Sequence, residues 1–168
     1  MALERAENSG RPYLSAVALS NAAYVAWLEG EPDKMRSGLA QAKQAQALLA
    51  QRNEPLVVAF ALTTAARLCL ALGEADEALV YSAEAIRLME TPDLWEMEQI
   101  TFTHSRVLSA LGRTAEADEY LRRAYERVML VARKTQDPEL RCSWLENVRD
   151  NCEIVAEWES RQGEGVTR

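Results

Sequence analysis

The sequence is poor in the residues from which most catalytic and metal centres are assembled. Its 168 residues include one histidine, His104, and three cysteines, Cys69, Cys142 and Cys152. The cysteines are widely spaced and form no C-x-x-C pair. With a single imidazole beside them, a structural zinc site of four protein ligands has no ready donor set. Their odd number and spacing read instead as reduced, buried thiols in a cytoplasmic protein. No Gly-rich phosphate loop and no G-x-S-x-G elbow occurs, and one histidine excludes any triad or metal site that needs several. The expectation is therefore a protein that is not an enzyme and that needs no cofactor and no metal. Acidic pairs such as Asp76-Glu77 and Glu96/Glu98 sit in helical stretches that face solvent, where carboxylates are ordinary. His104 reads better as a packing residue than as a ligand.

Positive charge is scarce as well. The formal net charge is −7 and the pI is near 4.9. A nucleic-acid binder needs a cationic surface to displace counterions from phosphate. The only local basic run is in "LRRAYERV", so nucleic acid is excluded as a partner, and an anionic membrane surface with it. No apolar stretch approaches the ~20 residues that span a bilayer. The opening "MALERAENSGRP" is polar from its start and does not read as a signal peptide. It reads as the last turns of a helix running into a glycine stop at Gly10, as if Met1 stood where a longer chain had been cut. The closing "RQGEGVTR" has little to bury and is expected to fray.

Glycine and proline are few, with 7 and 5 copies, and valine and isoleucine are sparse beside alanine and leucine. That balance favours helix, because straight-chain residues lose little rotamer freedom there and β-branched ones lose more. The rare breakers act as punctuation. Pro12, Pro32, Pro55, Pro92 and Pro138 each fall just before or within the first turn of an alanine- and leucine-rich segment, where a missing N–H costs little. Asp137 and Thr91 precede two of them and offer an N-cap oxygen. Gly30, Gly73 and Gly112 mark other joints. Helices are predicted over 12–29, 33–52, 55–72, 75–90, 93–111 and 114–136, with shorter ones over 138–147 and 150–161. The short gaps force neighbouring helices to run antiparallel. In the 114–136 segment Ala117, Leu121, Ala124, Val128, Val131 and Ala132 step by three and four, while Arg122, Arg123, Glu126 and Arg127 fill the other side.

A phrase is written twice. "LGEADEAL" begins at Leu72 and "LGRTAEAD" begins at Leu111, 39 residues later. Alignment on Gly73 and Gly112 also matches Arg67 with Arg106, Ala71 with Ala110, Glu77 with Glu116, Ala78 with Ala117 and Ala85 with Ala124. Gly30 gives a looser third copy, 43 residues before Gly73. Ala22-Ala23 then match Ala65-Ala66, Ala42 matches Ala85, and Met35 stands where the others have alanine. The glycine ends the first helix of a hairpin. The alanine five residues on lies where the second helix crosses the first, and its small side chain lets the backbones approach. The later alanine plays the same part against the next hairpin. One hairpin alone leaves an apolar face exposed, so such units are expected to stack.

The pattern small-small … Gly-x-x-x-Glu-Ala … Ala resembles the tetratricopeptide repeat, over roughly residues 12 to 136. The small pair matches Ala22-Ala23, Ala65-Ala66 and His104-Ser105. These copies are longer than the ~34 residues of that family, and Leu19, Leu62 and Thr101 stand where it has an aromatic. Long, loosely spelled repeats of this kind resemble the C-terminal helical-repeat regions of large bacterial signalling ATPases, nucleotide cyclases and maltose-activator-type regulators. Arg141, Ser143, Trp144, Leu145, Val148, Asn151 and Ile154 resemble the closing motif of those regions, and they also spell an amphipathic lid over the last repeat.

The resemblance implies an all-α, right-handed superhelical array of antiparallel helix hairpins, residues 12–52, 55–90 and 93–136, with capping helices over 138–161. A helix remnant over 1–10 and a flexible tail over 162–168 complete one domain of 1–168. It implies further that the first helix of each hairpin lines a concave face. One row on that face reads Tyr24, Arg67, Arg106, and its neighbour reads Ser20, Thr63, Phe102, with Trp27 and Leu70 one turn beyond. Tyr24, Trp27, Thr63, Arg67, Phe102 and Arg106 are thus the candidate partner-binding residues of a protein-protein interaction scaffold in a larger bacterial signalling protein. The two arginines suit an acidic peptide or a terminal carboxylate. They suit equally well internal pairing with nearby acids. The lysine and asparagine constellation of the family's carboxylate-clamp members is missing, although Asn21 is present. The alternative is a small-ligand sensor that regulates an attached ATPase, cyclase or transcription regulator. Exposed ends of an array can also pair between copies, giving self-association.

Overall fold

The computed structural model describes residues 12–49, 54–89 and 97–165. Among these residues there are eight α-helices and no strand, as the composition predicts. The chain divides into two compact units, Met1–Leu94 and Trp95–Arg168. The sequence reading has a single domain running across that point. The first unit holds α1 (Pro12–Glu29), α2 (Pro32–Leu49), α3 (Pro55–Ala71) and α4 (Ala75–Met89). The second holds α5 (Glu98–Ala110), α6 (Thr114–Lys134), α7 (Pro138–Glu146) and α8 (Arg149–Gly165). Within the units α1 pairs with α2, α3 with α4, and α5 with α6.

Proline opens four of these helices, at Pro12, Pro32, Pro55 and Pro138. Pro92, where the fifth helix is expected to open, lies outside the described residues. Among the described residues Met97 is in extended backbone, at φ −94° and ψ 121°, and α5 starts at Glu98. Thr91 and the start of the expected helix lie outside the described residues, as does the expected helix remnant over 1–10. At the other end α8 continues to Gly165, past the predicted end at 161, so the expected tail is helical over 162–165. Asp137 caps α7 as its side chain predicts, accepting from the N–H groups of Glu139 at 2.8 Å and Leu140 at 3.2 Å.

The repeated Leu-Gly phrase is a helix stop. Gly73 and Gly112 take φ of +82° and +73°, a left-handed conformation in which a Cβ is penalised. At the first, Gly73 N–H bonds Leu70 O at 3.1 Å and Glu74 N–H bonds Cys69 O at 2.8 Å. At the second, Gly112 N–H bonds Ser109 O at 3.0 Å and Arg113 N–H bonds Leu108 O at 2.9 Å. Both sets are the paired bonds of a Schellman turn, and they satisfy carbonyls that a helix end leaves open.

The small residues sit where helices cross. Ala66, Ala78, Ala85, Ala117 and Ala124 are 0 % exposed, Ala42 1 % and Ala65 2 %. In the third hairpin Ser105 lies under the crossing and donates its hydroxyl to the Ala117 carbonyl at 2.7 Å. The first hairpin solves the same problem differently. Met35 is buried at the aligned position, and the close approach shifts to Gly38, where an added Cβ would sit 2.8 Å from the Ala26 Cβ and 3.3 Å from the Ala23 carbonyl oxygen.

Each unit has its own core. Ala16, Leu19, Ala45, Leu49 and Ala61 join α1, α2 and α3 in the first, with Leu48, Val57 and Val58 against them. In the second, Phe102, Leu121, Ala124, Val128 and Ile154 form the centre, closed by Tyr125, Trp144, Leu145, Val155 and Trp158. The closing motif therefore acts as a lid. Trp144 donates its indole N–H to the Val128 carbonyl at 3.1 Å, and Asn151 donates to the Trp144 carbonyl at 2.9 Å. Arg141 and Val148 of the same motif point outward. The thiols are not uniformly buried. Cys69 is, but Cys142 is exposed, because α7 is a short surface helix with no buried residue. No described helix is long and apolar enough to cross a membrane.

Candidate functional site

The candidate residues fall in two places. In the first unit, α1 and α3 bring together Tyr24, Trp27, Phe60 and Arg67. The Tyr24 ring lies 5.5 Å from Trp27 and 5.9 Å from Phe60, centroid to centroid, in tilted pairs. The Arg67 guanidinium sits over the Trp27 ring at 4.8 Å, a cation–π contact. All three aromatic residues are half-buried, so part of each ring faces solvent, whereas Arg67 is only 7 % exposed. The helical spacing explains the cluster. Tyr24 and Trp27 are three apart, and Phe60 and Arg67 are two turns apart, so each pair shares a face of its helix.

In the second unit Arg106 is held by α8. Its guanidinium bonds Glu153 at 2.8 Å and Glu157 at 3.2 Å, and it lies over the Phe102 ring at 4.3 Å. Glu153 also takes a bond from Arg149 at 2.8 Å, and Glu157 one from Arg161 at 2.6 Å. Arg161 continues the chain of charges to Asp118. Burial works to raise the Glu153 carboxyl, but hydrogen bonding from Arg149 and the charge of Arg106 outweigh it and take it below the usual carboxylate range. Of the two readings open for Arg106, internal pairing is the one that the geometry displays.

The second predicted row does not face outward. Ser20, Thr63 and Phe102 are 1 %, 4 % and 1 % exposed. Thr63 spends its hydroxyl on the Ala59 carbonyl at 2.7 Å, and the Phe102 ring lies in the core with Leu121 and Ile154. The physical reason is the number of neighbours. Within its unit α3 packs against α1, α2 and α4 at once, and residues 61–69 are all buried, leaving no free stripe at Thr63.

Three residues of the site carried signals too weak to read. Phe60 belongs to no aligned pattern, and only its place one turn before Thr63-Thr64 could have drawn attention to it. The i, i+4 pair Glu153/Glu157 was an acidic stripe on one helix face, the usual mark of either solvation or an arginine partner.

Three other polar groupings bear on chemistry. Among the described residues Cys69, Glu74 and Glu77 bring three ligand atoms within 4.8 Å of one another. The donors do not suit a metal. Lys43 already supplies the cation, bonding Glu77 at 2.9 Å, and Tyr81 donates to the same carboxylate at 3.1 Å. Burial, with Glu77 and Glu74 beside it, pushes the Cys69 thiol up to about 12, so no thiolate is offered at neutral pH. Glu77 is thus not merely solvated; through Lys43 it ties α4 to α2. His104 is 6 % exposed and edge-on to Tyr120 at 4.5 Å, with burial and the nearby Arg113 lowering its pKa to about 4. It packs, as expected. An open cleft of about 280 Å³ between α6 and α8 is lined by Asp118, Glu119, Arg122, Trp158 and Arg161. Its charges are spent on one another: Arg122 holds Glu119 at 2.6 Å, and Arg161 holds Asp118.

No family model matches the chain, and neither a curated protein nor a solved structure matches it.

Proposed function

We propose that this chain is a non-catalytic protein-protein interaction scaffold of the tetratricopeptide kind, with its hairpins stacked in a right-handed superhelix and serving as the helical-repeat part of a larger signalling protein. The observation that carries the binding role is the aromatic wall of Tyr24, Trp27 and Phe60, left half-exposed on two packed helices. Rigid aromatic side chains lose little entropy when a partner covers them, and they dominate the energetics of interfaces. The identical stops at Gly73 and Gly112, followed by small residues at the crossing, support the family reading. The lid made by Trp144, Asn151 and Ile154 supports the likeness to the C-terminal regions of bacterial signalling ATPases, cyclases and regulators.

The partner is a protein or peptide that offers an apolar or aromatic side chain to Tyr24 and Trp27. Arg67 stiffens Trp27 from behind more than it projects a charge. The role of Arg106 in this reading is to fasten α8. The sensor alternative requires an enclosed pocket for a small ligand. Against it stands the cleft beside Trp158, which is open and lined by charges already paired.

The test is selection of peptides on the immobilised full chain. Tyr24→Ala with Trp27→Ala is expected to leave helicity unchanged and to abolish enrichment, while Arg122→Ala, in the cleft, leaves it intact. Equal enrichment on the double variant and the original chain would overturn the reading.

A further inference from the structure

We infer that the outward face of α1 is a docking seam for α1 of a second copy of this chain, in an antiparallel pair with its two-fold axis at Asn21. Leu14, Ala18, Asn21, Val25 and Leu28 follow one another at alternating steps of four and three, the spacing that keeps residues on one seam between two helices. The buried residues of α1 are Ser15, Ala16, Leu19, Ser20, Ala23 and Ala26, on the opposite side of the helix. The seam itself is open: Leu14 is 42 % exposed, Val25 50 % and Leu28 44 %.

The internal repeat shows that this is a helix-docking face. In the 43-residue register that aligns Gly30 with Gly73, the counterparts of Leu14, Ala18, Asn21 and Val25 are Val57, Ala61, Thr64 and Leu68 of α3. There the middle of the stripe is closed, while Val57 is half-buried and Ala71, the counterpart of Leu28, is exposed. Ala61 and Thr64 are 1 % exposed and Leu68 0 %, and Val57 and Ala61 pack with Ala45 and Leu49 of α2. The same stripe on α1 has no helix over it among the described residues.

Charge and symmetry select the occupant. Between Pro12 and Leu28 there is no Asp, Glu, Lys or Arg, in a chain whose net charge is −7. Two copies therefore meet along this seam without bringing like charges together, and α1 is the one described helix with no charged residue before its last position. The seam is also self-complementary. An antiparallel partner centred on Asn21 sets Leu14 opposite Leu28 of the second copy and Val25 opposite Ala18, and it places the two Asn21 amides across the axis, where they can bond each other. A polar pair at a seam position fixes register. Glu29, at the end of α1, then falls near the N-terminus of the second α1, where a negative charge is favoured.

Sedimentation velocity on the full chain, in a dilution series, reads the outcome. A concentration-dependent dimer is expected. Val25→Glu should raise its dissociation constant by about 100-fold or more without loss of helicity, and Val80→Glu, at an exposed site on α4, should not. Asn21→Cys should form a disulfide-linked dimer on mild oxidation, faster than Val80→Cys. A chain that stays monomeric throughout, a dimer that survives Val25→Glu, or an Asn21→Cys variant no quicker to cross-link than Val80→Cys overturns the proposal. So does a dimer that appears only after residues 1–11 are removed, which would assign the seam to the chain's own N-terminal segment. Because Tyr24 and Trp27 lie off the seam, loss of peptide enrichment and loss of dimer are separable results.

Discussion

The first and third hairpins reach the same kind of close helix crossing from different residues. In the third, Ala117 fills the aligned position with no exposure at all, and Ser105 reaches up to its carbonyl. Tyr120, three residues on, is large and turns edge-on to His104. In the first hairpin the two positions have exchanged sizes. Met35 is large and Gly38 is nothing but backbone, pressed against Ala23 and Ala26. Close packing conserves the room between two helices, not the residue that vacates it. The outer faces differ as well. α6 is amphipathic and carries ion pairs such as Arg122–Glu126 and Arg122–Glu119 at 2.6 Å, whereas α1 is apolar on nearly every side. A helix that is apolar all round is normally covered.

The sharpest way to break that comparison is to place leucine at the aligned position in each hairpin. Ala117→Leu is expected to cost about 3 kcal/mol by overpacking a crossing without slack, while Met35→Leu, which nearly conserves volume, should cost less than about 1 kcal/mol. Urea titration of the two variants checks it, and equal losses would mean that Met35 does not take the place of Ala117.

Acid separates the hairpins next. The folded pKa of His104 is lowered to about 4 from an ordinary 6.5, through burial and the charge of Arg113. Between those values the unfolded chain holds the extra proton, so the stabilisation is complete above about pH 6.5 and is lost as pH falls towards 4. The loss at the acid end is on the order of 3 kcal/mol. His104→Asn should remove that part of the pH dependence. A difference between the two proteins that does not change with pH would contradict it. The first hairpin has Ala22 at this position and carries no such term.

Gly38→Ala comes third. On an exposed helix this change stabilises by about 1 kcal/mol, but here the new methyl meets the Ala26 Cβ, and a net loss of about 1–2 kcal/mol is expected. A stabilised variant in thermal melting would place the crossing elsewhere. The smallest effect is a matched pair. Gly73→Ala and Gly112→Ala meet no neighbour within 4 Å, so only the left-handed backbone is penalised, at about 1 kcal/mol each. Unequal losses would show that the two stops are not equivalent.

Much of this architecture is legible in the sequence alone. Four of the eight described helix starts fall at a proline, because the first turn is where a ring that cannot donate costs little. Helix stops followed glycine at residues 30, 73 and 112, because positive φ is cheap only for glycine. What the sequence concealed depends on a helix's third and fourth neighbours. Thr63 and Phe102 share a helical register with Arg67 and Arg106, yet the row is buried, since no local pattern tells how many helices surround α3. Gly38 is hidden in the sequence because the alignment points to Met35, and compensation three residues away leaves no periodic mark. Residue type alone suggests a buried thiol at Cys142, but its helix is too short and superficial to hide it. The binding wall was half visible: Tyr24 and Trp27 were named, but Phe60 became part of it only through the packing of α3 on α1.

The contrast between the thiols has a practical use. Cys142 stands in solvent, while Cys69 is enclosed between α3 and its neighbours and keeps its proton. An alkylating reagent should therefore modify Cys142 promptly and reach Cys69 only when the second hairpin opens. The lag between the two events turns the unmodified protein into its own clock for breathing motions in the first unit.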